Sequence, residues 1–351
     1  MSSKITTKNL VKNLIFLLAL IGLTFYYLLK DNNITEIFTT IKSVNIFFVV
    51  IAILCVFIYM CGEAFNIKRL LSLLGNTVSF WSALKYAFIG FFFSSVTPGA
   101  SGGQPMQIYY MNKDKISISH SSLSILMELA AFQLVSITIA IISFISNYNF
   151  IVTTQKFIKV LIIVGISFNL LMLLFITCSI FSSKLTIKFM NLCFKLISKI
   201  KFLNLDKIQS KFEEQILEYN KGAKFIKSSP IVIIKNILTT FIQISAMYSV
   251  PFFVYKSFGF SGFSFFEIYT LQSILSIAVS AIPLPGAVGV SESGFLLLFR
   301  TFFPATVLNS AMLLNRGISF YLYILISGIV VIFAHIISTK KNKILSGKNN
   351  V

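Results

Sequence analysis

Thr97-Pro98-Gly99-Ala100-Ser101-Gly102-Gly103-Gln104-Pro105 interrupts an otherwise apolar run, Trp81–Met111, near its middle. Two prolines and three glycines in so short a stretch cannot continue a helix, because proline lacks an amide donor and glycine is conformationally loose. If the apolar limbs lie in lipid, the open backbone groups of this turn must be buried in protein or line a wet cavity, since hydrocarbon offers no hydrogen bonds. Helix ends on either side then aim N–H groups and partial positive charge inward, which suits a phosphate or a carboxylate. The alternative for the same residues is a loop at the membrane surface. A second break, Pro283-Leu284-Pro285-Gly286-Ala287-Val288-Gly289-Val290-Ser291-Glu292, divides the apolar region Phe266–Phe303 in the same manner.

Outward from these breaks the chain is built of membrane-length runs. About 20 apolar residues are needed to cross the hydrocarbon core as a helix. Five such runs are plain, Val11–Leu29, Asn45–Cys61, Ser122–Ser146, Phe157–Phe181 and Ile231–Tyr255, and a sixth covers Ala311–Ile337. Val11–Leu29 is too long for a signal peptide and lacks a small-residue cleavage site, so it reads as a retained span. Composition agrees: 56% of residues are hydrophobic and 12% charged, a balance that a soluble domain of this length does not keep in water.

The net charge of +19 comes from lysines in short segments between apolar runs, where positive charge sets topology rather than binding nucleic acid. Lys4, Lys8 and Lys12 place the N-terminus in the cytoplasm, and Lys68, Arg69, Lys85, Lys113 and Lys115 follow on the same side if Trp81–Met111 enters and leaves from one face. The basic segment 184–227 and the C-terminal Lys340, Lys341 and Lys343 are then cytoplasmic too. Each half has the order span, span, broken hairpin, span, with opposite starting sides. That is the pattern of an inverted repeat, here resting on hydropathy order and not on sequence identity between the halves. The expected fold is an all-α integral membrane protein, one polytopic domain over residues 1–351 with halves 1–156 and 157–351. About six full spans accompany the two broken helical hairpins.

Few residues offer chemistry. Glu128, in Met127-Glu128-Leu129-Ala130-Ala131-Phe132, lies inside an otherwise uncharged span, where an unpaired carboxylate costs about 2.5–3.5 kcal/mol on insertion scales. Arg316, in Leu314-Asn315-Arg316-Gly317, raises the same question near the start of the last span, unless it snorkels to the interface. Glu292 either caps the helix after the second break or pairs with Arg316 beside a substrate headgroup. Glu63 and Glu267 read as boundary charges. Cys55, Cys61, Cys178 and Cys193 form no metal-ligand pattern, and His120 and His335 lie far apart. No metal or cofactor is expected, and no Walker A, dinucleotide, kinase or nucleophile-elbow motif is present. In the segment 184–227, Phe189, Leu192, Leu196 and Ile200 share one helical stripe and Lys188, Lys195 and Lys199 another, as in a helix lying on an anionic membrane surface; docking of a partner is the alternative.

Taken together, Thr97-Pro98-Gly99 through Gly102-Gly103-Gln104-Pro105, Glu128, Pro283–Glu292 and Arg316 resemble the transmembrane region of bacterial lysylphosphatidylglycerol synthases, the multiple peptide resistance factor proteins, over most of the chain. The resemblance implies a lipid-handling protein of the bacterial cytoplasmic membrane that moves phosphatidylglycerol or its lysyl form between leaflets. It implies a headgroup site drawn from Glu128, Glu292 and Arg316 with the turn residues Gly102, Gly103, Gln104, Pro105, Pro285, Gly286 and Gly289. The family label also suggests phosphatidylglycerol lysyltransferase activity from lysyl-tRNA, the one case in which a nucleic acid would be a partner. A non-catalytic partner of a separate soluble synthase is a further alternative. The long polar segment 184–227 is much shorter than a typical ~100–150 residue catalytic domain. Two departures stand out: Ala287 where many relatives carry a second glycine, and Gln107 where many carry an arginine. A green fluorescent protein fused to the C-terminus is expected to fluoresce and an alkaline phosphatase fusion to be inactive; an active phosphatase would reverse the assigned orientation.

Overall fold

Asn45 accepts a hydrogen bond from the Phe47 amide at 3.0 Å and so starts the first long apolar helix. The computed structural model describes residues 34–148, 156–181 and 205–348, together with positions 15, 17–19, 22, 23 and 26 of the first apolar run. The span Val11–Leu29 and the stripe residues between 184 and 204 therefore lie wholly or largely outside the described residues. The described elements are a short helix α1 (Ile34–Lys42), α2 (Ile46–Leu73), a hairpin of α3 (Phe80–Val96) and α4 (Gly103–Lys113), and α5 (Ile118–Ser146). There follow α6 (Lys156–Phe181), α7 (Leu205–Lys227), α8 (Pro230–Ser257), a second hairpin of α9 (Phe265–Ser280) and α10 (Val290–Phe299), α11 (Ala305–Arg316) and α12 (Leu322–Lys348). No strand occurs among the described residues. The protein is an all-α membrane protein, with five segments long and apolar enough to cross a bilayer: Ile46–Leu73, Ile118–Ser146, Val160–Ile180, Pro230–Ser257 and Ala305–Ile337.

The last of these begins earlier than the hydropathy suggests, at Ala305, and contains one wide turn, Gly317–Tyr321, directly after Arg316. Such π turns interrupt helices most often at functional sites. The limbs of both hairpins run for 10 to 17 residues, or about 15–25 Å at the α-helical rise, and fall short of a ~30 Å hydrocarbon core.

At the two hairpin tips the halves do share sequence, which corrects the expectation of no identity between them. Pro98-Gly99-Ala100 and Pro285-Gly286-Ala287 are the same tripeptide in the same backbone conformation. The glycines have φ of 60° and 57°, and the alanines 54° and 49°. All four values are left-handed, a region costly for any residue with a Cβ. The turns pack against each other, with Gly99 set against Pro283.

Other packings obey the same exchange of halves. α2 packs on α3 as α8 packs on α9; α12 lies on α3 as α5 lies on α9; and α2 and α8 lie against each other in the most extensive helix pairing among the described residues. Gly62 of α2 makes that approach possible. A Cβ there would sit 2.8 Å from Cβ of Gln243 on α8. The second half is further stitched by aromatic rings, with Phe295 and Phe299 stacked at 4.2 Å and Phe303 packed edge-on to Tyr255.

The helix α7, which follows the striped residues within the segment 184–227, docks on the bundle. Ser119 Oγ donates to Gln215 O at 2.7 Å, His120 Nε2 lies 3.3 Å from Glu218 Oε1, and Tyr219 and Ile226 are buried against α5, α6 and α8. Gly62→Leu should force α2 and α8 apart and lower stability by about 1–3 kcal/mol, read as an earlier melt of the detergent-solubilised protein.

Candidate functional site

The first tip satisfies its own backbone. Thr97 Oγ1 donates to Phe93 O at 2.6 Å and accepts from the Gly102 amide at 2.8 Å, while Ser101 Oγ donates to Pro98 O at 2.9 Å. Gly102 and Gly103 lie tight against Thr97 and Ser94, so they shape the turn and do not face a cavity; Pro105 is exposed.

The second tip is held from outside. Arg316 Nε donates to Glu292 Oε1 at 2.7 Å, and its Nη2 donates to Gly286 O at 3.0 Å. The other carboxylate oxygen, Glu292 Oε2, accepts from the Gly289 amide at 2.7 Å, and the Tyr321 hydroxyl donates to Oε1 at 3.1 Å. Capping and pairing occur together at Glu292: one oxygen caps the helix and the other pairs with Arg316. The side chains are 2% and 12% exposed, and the guanidinium lies 4.4 Å from the Phe320 ring centroid. Removing either partner would leave a buried charge unmatched, a loss of about 3–5 kcal/mol. Pro285 is buried, and Gly289 has φ of 86°, a conformation that lets its amide reach Glu292.

Between the tips and the long helices lies a cavity of about 630 Å³. Both tips contribute to its wall, through Gly99, Ala100 and Ser101 on one side and Gly286 and Ala287 on the other. Its polar lining includes Glu63, Gln104, Gln107, Glu128, Gln133 and Asn169. A smaller cavity of about 190 Å³ adjoins it through Phe91 and Val279 and is lined by Arg316, Ser291 and Asn315. Of the residues singled out from sequence, Glu128, Gln104 and Gly286 thus meet in the main cavity. Arg316 opens onto the neighbouring one, and Glu292 stands behind it.

Glu63 was misread as a boundary charge. The span ends at Cys61 by hydropathy, but α2 continues to Leu73 and carries Glu63 into the cavity. Gln107 Nε2 donates to Glu63 Oε1 at 2.7 Å and to Tyr86 O at 3.2 Å, so this side chain bonds a carboxylate. Tyr59, Glu63 and Asn66 recur at spacings of four and three, a single polar stripe on α2 that helical periodicity could have exposed. Glu267 is the boundary residue it was read to be. It forms a capping box with Ser264, accepting from the Ser264 amide at 2.8 Å. Asn169, which no local motif marks, reaches the cavity from α6 and donates to Ser280 Oγ at 2.6 Å.

Comparison with known proteins places this architecture. A family model described as the lysylphosphatidylglycerol synthase TM region matches residues 13–327. A UPF0104 membrane protein of Archaeoglobus fulgidus is 26% identical over 297 residues, covering 84% of this chain and 88% of the relative. The UPF0104 membrane protein PH1989 of Pyrococcus horikoshii is 26% identical over 327 residues, covering 90% and 96%. With the family model spanning nearly the whole chain, this multi-pass membrane protein belongs to the lysylphosphatidylglycerol synthase transmembrane region family.

Proposed function

We propose that the chain moves a phospholipid of the phosphatidylglycerol class, in its aminoacylated form, across the bacterial cytoplasmic membrane, with both termini in the cytoplasm and the two halves inserted in opposite directions. The observation that carries this reading is the cavity of about 630 Å³ between the two hairpin tips, with two carboxyl groups in its wall. Its size falls in the ~300–1,000 Å³ range of small-molecule sites. A lysyl headgroup presents ammonium groups, which Glu63 and Glu128 would receive, and a phosphate, which Arg316 in the adjoining cavity and the backbone of the tips would meet. Phe168 lines the same cavity from α6 while 43% exposed on a helix whose Ile163, Leu171 and Phe175 also face outward. A headgroup could therefore enter sideways and leave its acyl chains in lipid. The family to which the chain belongs supports the lipid class; neither relative's name specifies an activity.

The test is a vesicle assay. Purified chain in phosphatidylethanolamine–phosphatidylglycerol vesicles carrying fluorescent lysyl-phosphatidylglycerol should make inner-leaflet label accessible to an added membrane-impermeant quencher. Glu128→Gln should slow that exposure ~10-fold or more, about 1.4 kcal/mol in barrier, with the protein still monodisperse and unchanged in melting temperature. Equal rates for the two proteins would sink the assigned role of Glu128. Formation of lysyl-lipid by the chain alone from charged tRNA would favour the transferase reading instead.

A further inference from the structure

Glu63 and Glu128 face one cavity from different helices, α2 and α5. The described residues lining that cavity include no lysine or arginine. The nearest charges are engaged elsewhere. Arg69, further along α2, donates to Asn66 Oδ1 and Thr239 Oγ1, each at 3.0 Å; Arg316 is held by Glu292; and Lys85 pairs with Asp114 at the base of the first hairpin. From the packed elements the cavity pair meets Tyr59 of α2, Gln243 of α8, Gln107 of α4 and Asn169 of α6, all neutral groups, and Tyr248 of α8 lies behind Tyr59. The hydroxyl of Tyr86 on α3 is turned away to Asp114 at 2.7 Å. Two carboxylates lining one cavity repel each other where the described lining holds no cation, and a proton held at the pair relieves that repulsion.

A second feature points to the same site. Ser121, Ser124 and Glu128 follow one another on a single face of α5 at spacings of three and four. A buried serine in a helix ordinarily bonds back to a carbonyl of the preceding turn. Ser121 Oγ and Ser124 Oγ are buried without a protein partner, as is Asn236 Oδ1 from α8, and Gln133 Oε1 is in the same condition on the far side of Glu128. Unmatched polar atoms in a row beside a carboxyl pair are suited to ordered water, and inside a membrane such rows mark ion and proton routes.

We infer that Glu63 and Glu128 hold a shared, exchangeable proton, reached along the Ser121–Ser124 lane, which a headgroup ammonium displaces, so that lipid movement is exchanged for proton movement. The step balances. A carboxylic O–H bond breaks, the proton passes to water in the lane, and the carboxylate left behind pairs with the incoming ammonium, leaving the net charge of the site unchanged. Return of a proton from the other side releases the headgroup. This inference rests on the proposed transport for its ligand, but the proton site can be read without transport.

Infrared difference spectroscopy on the intact purified chain reads it directly. A protonated-carboxyl stretch should persist above about pH 6, where an exposed glutamate of pKa about 4.3 is ionised. It should disappear in the double variant E63Q/E128Q, and the wild type should lose it and release protons to a pH dye when lysyl-phosphatidylglycerol is added. The double variant replaces each carboxyl with an amide of the same shape; Ser124→Val is the second probe and should slow deuterium exchange of the carboxyl band without removing it. A wild type with no such band above pH 6, or a band untouched in the double variant, overturns the proton site. A band that behaves as expected in a protein that moves no lipid supports the proton site and removes the transport reading instead.

Discussion

Hydrocarbon supplies no partner for a broken backbone, and the two Pro-Gly-Ala turns are where this chain breaks it. Much of the interior is arranged around that requirement. At the first turn the remedy is local, with Thr97, Ser94 and Ser101 bonding the freed amide and carbonyl groups. At the second it comes from a distant helix: Arg316 reaches from the end of α11 to Gly286 O, and Glu292 holds both the guanidinium and the Gly289 amide. The turns also cover each other by packing tip to tip. The buried ion pair is thus a structural part of the second turn before it is anything else, and Arg316 lines the small cavity beside it.

That division separates the polar groups by role. Arg316 and Glu292 are matched to each other and to backbone, whereas Glu63 and Glu128 share a cavity with amides and hydroxyls. A matched pair is suited to holding a turn. An unmatched acidic pair is suited to a mobile cation, because its charge can be compensated by whatever enters. The exchange symmetry of the packing gives the cavity its position: α2 and α8 cross at the centre, each hairpin leans on the long helix of the opposite half, and the opening left between the tips falls beside the crossing.

Both tips hold an alanine in the left-handed region. Ala287, at φ of 49°, occupies a position where glycine would be unstrained. Ala100 occupies the equivalent place in the first half at φ of 54°. Since a single alanine in this region costs about 1–2 kcal/mol, the tertiary contact between the turns must hold both residues in place.

Length and hydropathy were enough to determine the membrane class, the positions of α2, α5, α6 and α8, and the two interruptions, because each follows from local composition against a fixed bilayer thickness. Glu128, alone in an apolar run, was legible for the same reason. Glu63 was not, because hydropathy ended the span at Cys61 while the helix continues to Leu73, and a carboxylate near a span boundary has the same local signature whether it faces water or a cavity. Gln107, Asn169 and the meeting of the two tips carry no local signature either. Their placement depends on which helices pack across the two halves, and that is decided by close approaches such as Gly62 against Gln243, contacts between residues far apart in the chain that only the tertiary structure brings together.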